Sequence, residues 1–408
     1  MPMFRHSPPP PAGDTLRLLA LAAFLSLTTT RLCDAMLPAL AQSFGTTTVE
    51  ASATISAYAV GYGLTQLLWG PLGDRHGKLR VMTLATLACV MSTLAAAWAP
   101  SLQALVAARA VMGAAPAALF PLGLAWVSDH VPLAQRQQAL ARFSGISVFG
   151  MVLGPALGGL LADLWSWRGA FLAMSLAFGL MAVLIGARAQ AAETGGELVG
   201  DAASAVTTAR PRQSAPLRGL LAASWTQIVF TLACVEAGLM IGGLALVPTV
   251  LHDHFGLTLT QAGAAVAAFG LGGFAFSRCS AWMLRRIPRL ALPPLGAVLC
   301  ASGVGALAVT PDSIWAIGAC GLAGLGFFML HNTLQVQATQ LAPESTGLAM
   351  SLFTAAIFVG QSAGVWAAAM AYPHFGRLGV FSLIAAGLLT VGVVWTVVLA
   401  RRARPAAG

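Results

Sequence analysis

Apolar stretches of about 20 residues, long enough for a helix to cross roughly 30 Å of hydrocarbon, recur along the whole chain. Residues 290–310 and 313–330, for example, contain no Asp, Glu, Lys or Arg. Only 9% of the 408 residues are charged, against about a quarter in a soluble domain, too few to cover a water-exposed surface. The apolar share of 58% and the mean hydropathy of +0.80 agree. Lipid is the solvent this composition suits, and the chain reads as an all-α integral membrane protein.

Gly, Pro and charge punctuate the hydropathy into twelve spans. Six cross at 16–41, 51–72, 79–99, 102–128, 139–163 and 168–189; six more cross at 222–251, 258–283, 290–310, 313–340, 346–371 and 377–400. Between the sets, residues 190–217 have no apolar period and carry Glu193, Glu197, Asp201, Arg210 and Arg212. They read as a cytoplasmic interdomain loop. The expected organisation is an N-terminal six-helix bundle over 1–189, that loop, and a C-terminal six-helix bundle over 218–408.

Nearly all basic residues fall on one side of this arrangement. Arg5, Arg17, Arg75, Lys78, Arg80, Arg136, Arg142, Arg188, Arg285, Arg286, Arg289, Arg401 and Arg402 share it, whereas the other side offers Arg168 and Arg377. Positive loops face the cytoplasm, so both termini are expected there. The segment MPMFRHSPPPPAGD is then a short cytoplasmic tail rather than a cleaved leader. Trp69, Trp98, Trp165, Trp167, Trp225, Trp282 and Trp315 near span ends suit interfacial anchoring.

The halves resemble each other. Phe44-Gly45 recurs as Phe255-Gly256 at an offset of 211, and Gly150 with Gly154 recurs as Gly360 with Gly364 at an offset of 210. Duplicated six-helix units are a known transporter architecture, with the substrate between them at the midplane. The formal net charge of +9 has no basic-aromatic patch behind it, which argues against nucleic acid. Cys33, Cys89, Cys234, Cys279, Cys300 and Cys320 lack paired spacing and read as small packing residues. No HExxH, GxSxG or clustered ligand set points to an enzyme, a metal or a cofactor, and no filter-like loop points to a channel.

Gly70-Pro71-Leu72-Gly73-Asp74-Arg75-His76-Gly77-Lys78-Leu79-Arg80 lies between the second and third spans. It resembles the signature loop of the major facilitator superfamily, G-x-L-[AG]-D-[RK]-x-G-[RK]. Its glycines permit a tight turn, and Asp74 offers an acceptor to a helix N-terminus or a basic side chain. The resemblance implies a contact that latches the cytoplasmic helix ends in the outward-facing state. In the fifth span, Gly150, Gly154, Pro155, Gly158 and Gly159 match the G-x-x-x-G-P-x-x-G-G pattern of the superfamily's exporters, especially bacterial twelve-helix drug/proton antiporters. Small residues at that spacing let helices approach closely. Arg109 with Gly113 is similar to a third pattern associated with proton transfer, departing from it at Met112, where many members carry Gln. The fold implied is the major facilitator fold, twelve transmembrane helices in two six-helix pseudo-repeats. The C-terminal counterpart of the signature loop, residues 281–289, lacks its Asp and glycines.

Arg31, Asp34, Glu236 and His331 join Arg109 as ionisable residues within spans. Such groups are functional candidates because lipid tolerates a charge only when something compensates it. Arg31 and Asp34 are three residues apart and share a face, so Asp34 is either half of an internal ion pair or a proton or cation site reached from outside and switched by alternate pairing with Arg31 or Arg109. Arg109 is a proton-coupling residue or a buried structural partner. Glu236 has no basic residue within a helical turn and is the leading candidate for proton carriage or for holding a cationic substrate. His331, Asn332 and Gln335 in the tenth span form a substrate-lining surface or interhelical hydrogen bonds, with Gln361, Tyr58 and Gln66 as further lining candidates. The expected protein is a monomer of the bacterial inner membrane that exports a small molecule, drug or metabolite, by alternating access with protons as coupling ion. A symporter of the same fold is the alternative.

Overall fold

The computed structural model describes residues 12–196, 217–342 and 345–403. The N-terminal tail up to Pro11 and the part of the expected interdomain loop at 197–216 lie outside the described residues.

The described chain is helical throughout. In order it runs α1 (Ala12–Arg31), α2 (Leu37–Phe44), α3 (Thr48–His76), α4 (Lys78–Ala97), α5 (Leu102–Ala114), α6 (Leu119–His130), α7 (Leu133–Leu164) and α8 (Trp167–Gly196). It continues with α9 (Leu217–Ala222), α10 (Ser224–Ala237), α11 (Gly243–Phe255), α12 (Leu259–Arg286), α13 (Leu292–Val309), α14 (Ser313–Thr339) and α15 (Thr346–Ala403). Among the described residues, nine stretches are long and apolar enough to cross a membrane. The last runs over Thr346–Arg402 and breaks at Gly376, where φ is 61°, so it crosses twice. The interrupted α1–α2 pair and the 29-residue α3, about 44 Å long at 1.5 Å per residue, bring the total to twelve. Helix α8 runs on to Gly196, past the boundary expected at 189, because Ala- and Gln-rich chain beyond the span still favours helix.

The duplication is written into the caps and contacts. Gly45 and Gly256 both end a helix in the left-handed region, at φ 62° and 64°, a conformation only glycine adopts without strain. The next helices open with capping boxes, Thr47 with Glu50 and Thr258 with Gln261. Ser101 caps α5 and Asp312 caps α14. Arg168 donates to the carbonyls of Ala97 and Ala99 at 3.0 Å, and Arg377 donates to that of Thr310 at 3.0 Å. These two arginines, the exceptions to the charge asymmetry, plug orphan carbonyls at equivalent helix ends.

Helix pairs meet at glycines with the same register in both halves. A methyl on Gly150 would sit 2.1 Å from the carbonyl oxygen of Phe24, and one on Gly360 would sit 1.9 Å from that of Cys234. Gly61 abuts the carbonyl of Ala110 and Gly113 that of Tyr58; Gly272 abuts Gly321 and Gly324 abuts Phe269. Every member of the second set lies 211 residues after its counterpart, from Gly61 to Gly272 and from Gly113 to Gly324.

One face of the bundle carries the chain ends and the α3–α4, α6–α7 and α12–α13 turns; the opposite face carries the α2–α3, α7–α8 and α11–α12 turns. The halves touch toward the opposite face. There α7 meets α12 through Gly159 against Leu259, Gly263 against Pro155 and Gly270 against Val152. Along the second seam α3 meets α15: Ser56 and Ser362 exchange hydrogen bonds with each other's carbonyls at 2.9 and 3.1 Å, and Tyr62 stacks on Phe358 at 4.2 Å. Toward the terminal face, Phe149 of α7 and Phe274 of α12 are about half exposed. The contacts named here between the halves thus gather toward the face opposite the chain ends.

Candidate transport site

The first helix of each half is interrupted at an equivalent depth. In the N-terminal half α1 stops at Arg31, turns through Leu32–Met36 and resumes at Leu37 with Pro38 in its first turn. In the C-terminal half α10 passes through a π-helical turn at Gly238–Gly242 before α11. Residues 28 and 32 correspond to 238 and 242 in the register of the glycine contacts. The two departures from regular α-helix are thus adjacent in the shared register, meeting at residues 32 and 242.

A buried carboxylate lies in the first interruption, Asp34, and another, Glu236, lies two residues before the second. Asp34 lies in the turn after α1, its amide hydrogen-bonded to the Arg31 carbonyl at 3.2 Å. Its Oδ2 accepts a hydrogen bond from Arg31 Nε within a buried ion pair. Gly154 makes room for this arginine, since a methyl there would come 2.9 Å from Arg31 Cβ. Arg109 reaches the same region from α5, donating Nε to the Thr54 carbonyl at 3.2 Å and Nη1 to the Thr29 carbonyl at 3.1 Å. Its guanidinium lies 4.2 Å from the centre of the Tyr58 ring, whose hydroxyl donates to the Ser26 carbonyl at 3.3 Å and pairs with Thr29 Oγ1 at 3.2 Å. Arg31 Nη2, Asp34 Oδ1 and Arg109 Nη2 are buried with no hydrogen-bond partner among the described residues.

The second cluster joins two residues that the sequence left apart. Glu236, fully buried one residue before the end of α10, places Oε2 2.8 Å from His331 Nδ1 of α14. His331 retains 15% side-chain exposure and is flanked by Phe327 at 5.1 Å and Phe353 at 5.6 Å. One carboxylate oxygen therefore rests on the imidazole of His331, and the other, Oε1, makes no hydrogen bond among the described residues. Nearby, Trp395 donates Nε1 to Thr333 Oγ1 at 2.8 Å, tying the last helix to α14.

The remaining candidates distribute unevenly. Asn332 and Gln335 are exposed on α14, whereas Gln361, Tyr58 and Gln66 are buried; Gln66 Oε1 lacks a hydrogen-bond partner among the described residues. In the signature loop, Gly77 takes φ 87° between α3 and α4, and Gly73 fits under Leu122. Asp74 finds its partner inside the loop, 3.2 Å from Lys78 Nζ, which also bonds Asp129 at 2.5 Å. Gly70, Asp74 and Arg75 are exposed, and a methyl on Gly70 would touch nothing within 4 Å. Gly158 lies against the carbonyl of Leu32 and Gly159 against that of Leu259, so the exporter-type stripe contacts its own half and the other half at once. Cys279 is exposed, unlike the packing role expected of it. Arg278, inside the eighth span and overlooked among the ionisable residues, is exposed with its guanidinium 5.4 Å from the Phe274 ring; its position within an apolar run was the available signal.

A duplicated twelve-helix membrane bundle, its halves meeting toward one face and ionisable clusters buried within it, is the frame of a multi-pass membrane transporter. The chain belongs to the Major Facilitator Superfamily, whose sequence profile matches residues 19–365. It is similar to the uncharacterised MFS-type transporter YceJ of Bacillus subtilis, with 27% identity over 375 residues covering 88% of this chain and 90% of that one. The multidrug export protein EmrB of Haemophilus influenzae shares 29% identity over 181 residues, 43% of this chain and 35% of the exporter. Among solved structures, a POT family transporter in complex with 5-aminolevulinic acid superposes with TM-score 0.73 at 14% identity, covering 97% and 98% of the chains. A bacterial homologue of the human lysosomal transporter Spinster, in an inward-facing and occupied conformation, gives 0.68 at 18% identity, covering 97% and 96%. These relationships point away from an enzyme.

Proposed function

We propose that the chain is a proton-coupled antiporter that exports a small molecule across the bacterial inner membrane by alternating access, with both termini in the cytoplasm. The terminal face, rich in Arg and Lys, is then cytoplasmic, and the arrangement described above is inward-facing. The signature loop fits this assignment: its latch belongs to the opposite state, and among the described residues Asp74 engages Lys78 of its own loop. The observation that carries the coupling is the Glu236–His331 contact. A carboxylate buried in a membrane is tolerated when protonated or paired, so proton arrival at this pair changes which conformation it favours. Outward direction draws support from the Gly150–Gly159 stripe and from the partial match to a multidrug export protein.

Reconstituted protein under an imposed pH gradient tests the reading, using labelled compounds recovered from a transport screen in an exporter-depleted bacterial strain. Accumulation on the acidified side, lost in Glu236→Gln, is the expected result. Movement of the compound together with the protons establishes the symporter instead.

A further inference from the structure

The N-terminal cluster holds a charge imbalance that proton carriage does not resolve. At the depth of the helix break this half contains two guanidinium groups, Arg31 and Arg109, and one carboxylate, Asp34, all essentially buried. Guanidinium does not deprotonate within a protein, so the cluster keeps one uncompensated positive charge even with Asp34 ionised. Protonating Asp34 would leave two. Hydrogen bonds to the Thr29 and Thr54 carbonyls and the Tyr58 ring solvate Arg109 in part but supply no counter-charge. The two guanidinium groups, from different helices, each leave Nη2 with no hydrogen-bond partner among the described residues. A buried cation with unused donors calls for an anion, and the guanidinium fork matches a planar carboxylate.

We propose that Arg31 and Arg109 form the binding site for an anionic group, a carboxylate, carried by the transported molecule. The site rests on the transporter reading above only in taking the bound molecule as cargo. Asp34 then acts as a placeholder: it holds Arg31 while the site is empty and yields it when a substrate carboxylate arrives, remaining ionised throughout. Asp34 stands in the Leu32–Met36 turn, outside the helical ladder of α1, and Arg31 packs directly on Gly154, where a methyl would come 2.9 Å from its Cβ. The two halves thereby divide their labour, a fixed positive charge in one and the titratable Glu236–His331 pair in the other. The C-terminal positions equivalent to Asp34 are Leu244 or Ala245, at offsets of 210 and 211, and that equivalent to Arg109 is Cys320. Among the described residues these positions in the second half carry no charge.

The test reads binding without transport. Purified full-length protein in detergent is titrated with sodium benzoate, benzylamine hydrochloride and sodium chloride, and its thermal unfolding is followed. Benzoate should raise Tm saturably, beyond any effect of chloride, while benzylamine should not. Arg31→Gln and Arg109→Gln should each weaken benzoate binding about tenfold or more, the loss of one charge-assisted pair. Asp34→Asn, which leaves both guanidinium groups uncompensated, should start from a lower Tm and show a larger benzoate-dependent rise than the wild type. If Arg109→Gln fails to fold, the Arg31→Gln and Asp34→Asn arms decide. A chloride effect equal to that of benzoate, benzoate binding unchanged in Arg31→Gln, or a smaller benzoate response in Asp34→Asn each overturns the proposal. Glu236→Gln separates the two readings: it should keep the benzoate response whether or not it abolishes proton-driven transport.

Discussion

Replacing Asp163 should loosen the face where the halves meet. This residue, near the end of α7, accepts hydrogen bonds from both Thr260 N–H at 2.7 Å and Thr260 Oγ1 at 2.6 Å. It thus caps the first turn of α12 from the other half of the molecule, complementing the positive helix end. Losing a capping side chain costs about 1 kcal/mol, and a hydrogen bond to a charged group is worth about 1.5–3 kcal/mol when buried. Asp163 is exposed, so the lower figure of about 1.5 kcal/mol applies to Asp163→Ala, close to a tenfold shift in a two-state equilibrium. Asp163→Asn keeps an acceptor and should shift it by only about twofold. The reporter is Val365→Cys, introduced after replacement of the six native cysteines. Val365 is 3% exposed and packs in an apolar cluster with Met36, Leu37 and Tyr62, so a membrane-impermeant maleimide reaches it only when the seam opens. Labelling should accelerate about tenfold in Asp163→Ala and about twofold in Asp163→Asn. Equal rates in all three backgrounds would show that the cap contributes nothing to closure.

Four further outcomes follow from the contacts. Gly158→Ala places a methyl 2.0 Å from the Leu32 carbonyl oxygen, and backbone on both sides leaves no side chain to yield; unfolding in detergent should show a loss of about 1–3 kcal/mol. Gly145→Ala meets nothing within 4 Å and should instead gain about 0.5–1 kcal/mol from helix propensity. Removing either member of the Glu236–His331 contact, by Glu236→Gln or His331→Gln, should flatten the dependence of transport rate on pH. Trp395→Phe loses the hydrogen bond to Thr333 at about 1 kcal/mol of stability and should leave that pH profile unchanged.

Much of this architecture was legible in the chain because membranes impose strict rules on sequence. Span length and charge asymmetry follow from bilayer thickness and the cost of translocating Lys and Arg, which act on local segments. The duplication showed in Phe44-Gly45 and Phe255-Gly256 because a left-handed cap requires glycine wherever it occurs. The matched pairs Gly61/Gly272 and Gly113/Gly324 escaped notice, since glycines in an Ala- and Gly-rich chain reveal their register only when the facing backbone is known. The apolar span expected at 168–189 is found at Trp167–Ala191, while the helix itself runs on to Gly196, because polar composition marks where lipid stops and helical hydrogen bonding can continue beyond it.

By itself the sequence determined the solvent, the helical class and the superfamily, and it nominated the ionisable residues by the expense of placing them in lipid. Only the tertiary structure decided their partnerships. It set Glu236 on His331, 95 residues away, brought Arg109 toward the α1 break that holds Arg31 and Asp34, and joined Asp163 of one half to Thr260 of the other. The physical reason is range: hydropathy and capping are settled within a turn or a span, but the compensation of a buried charge depends on which helices pack together.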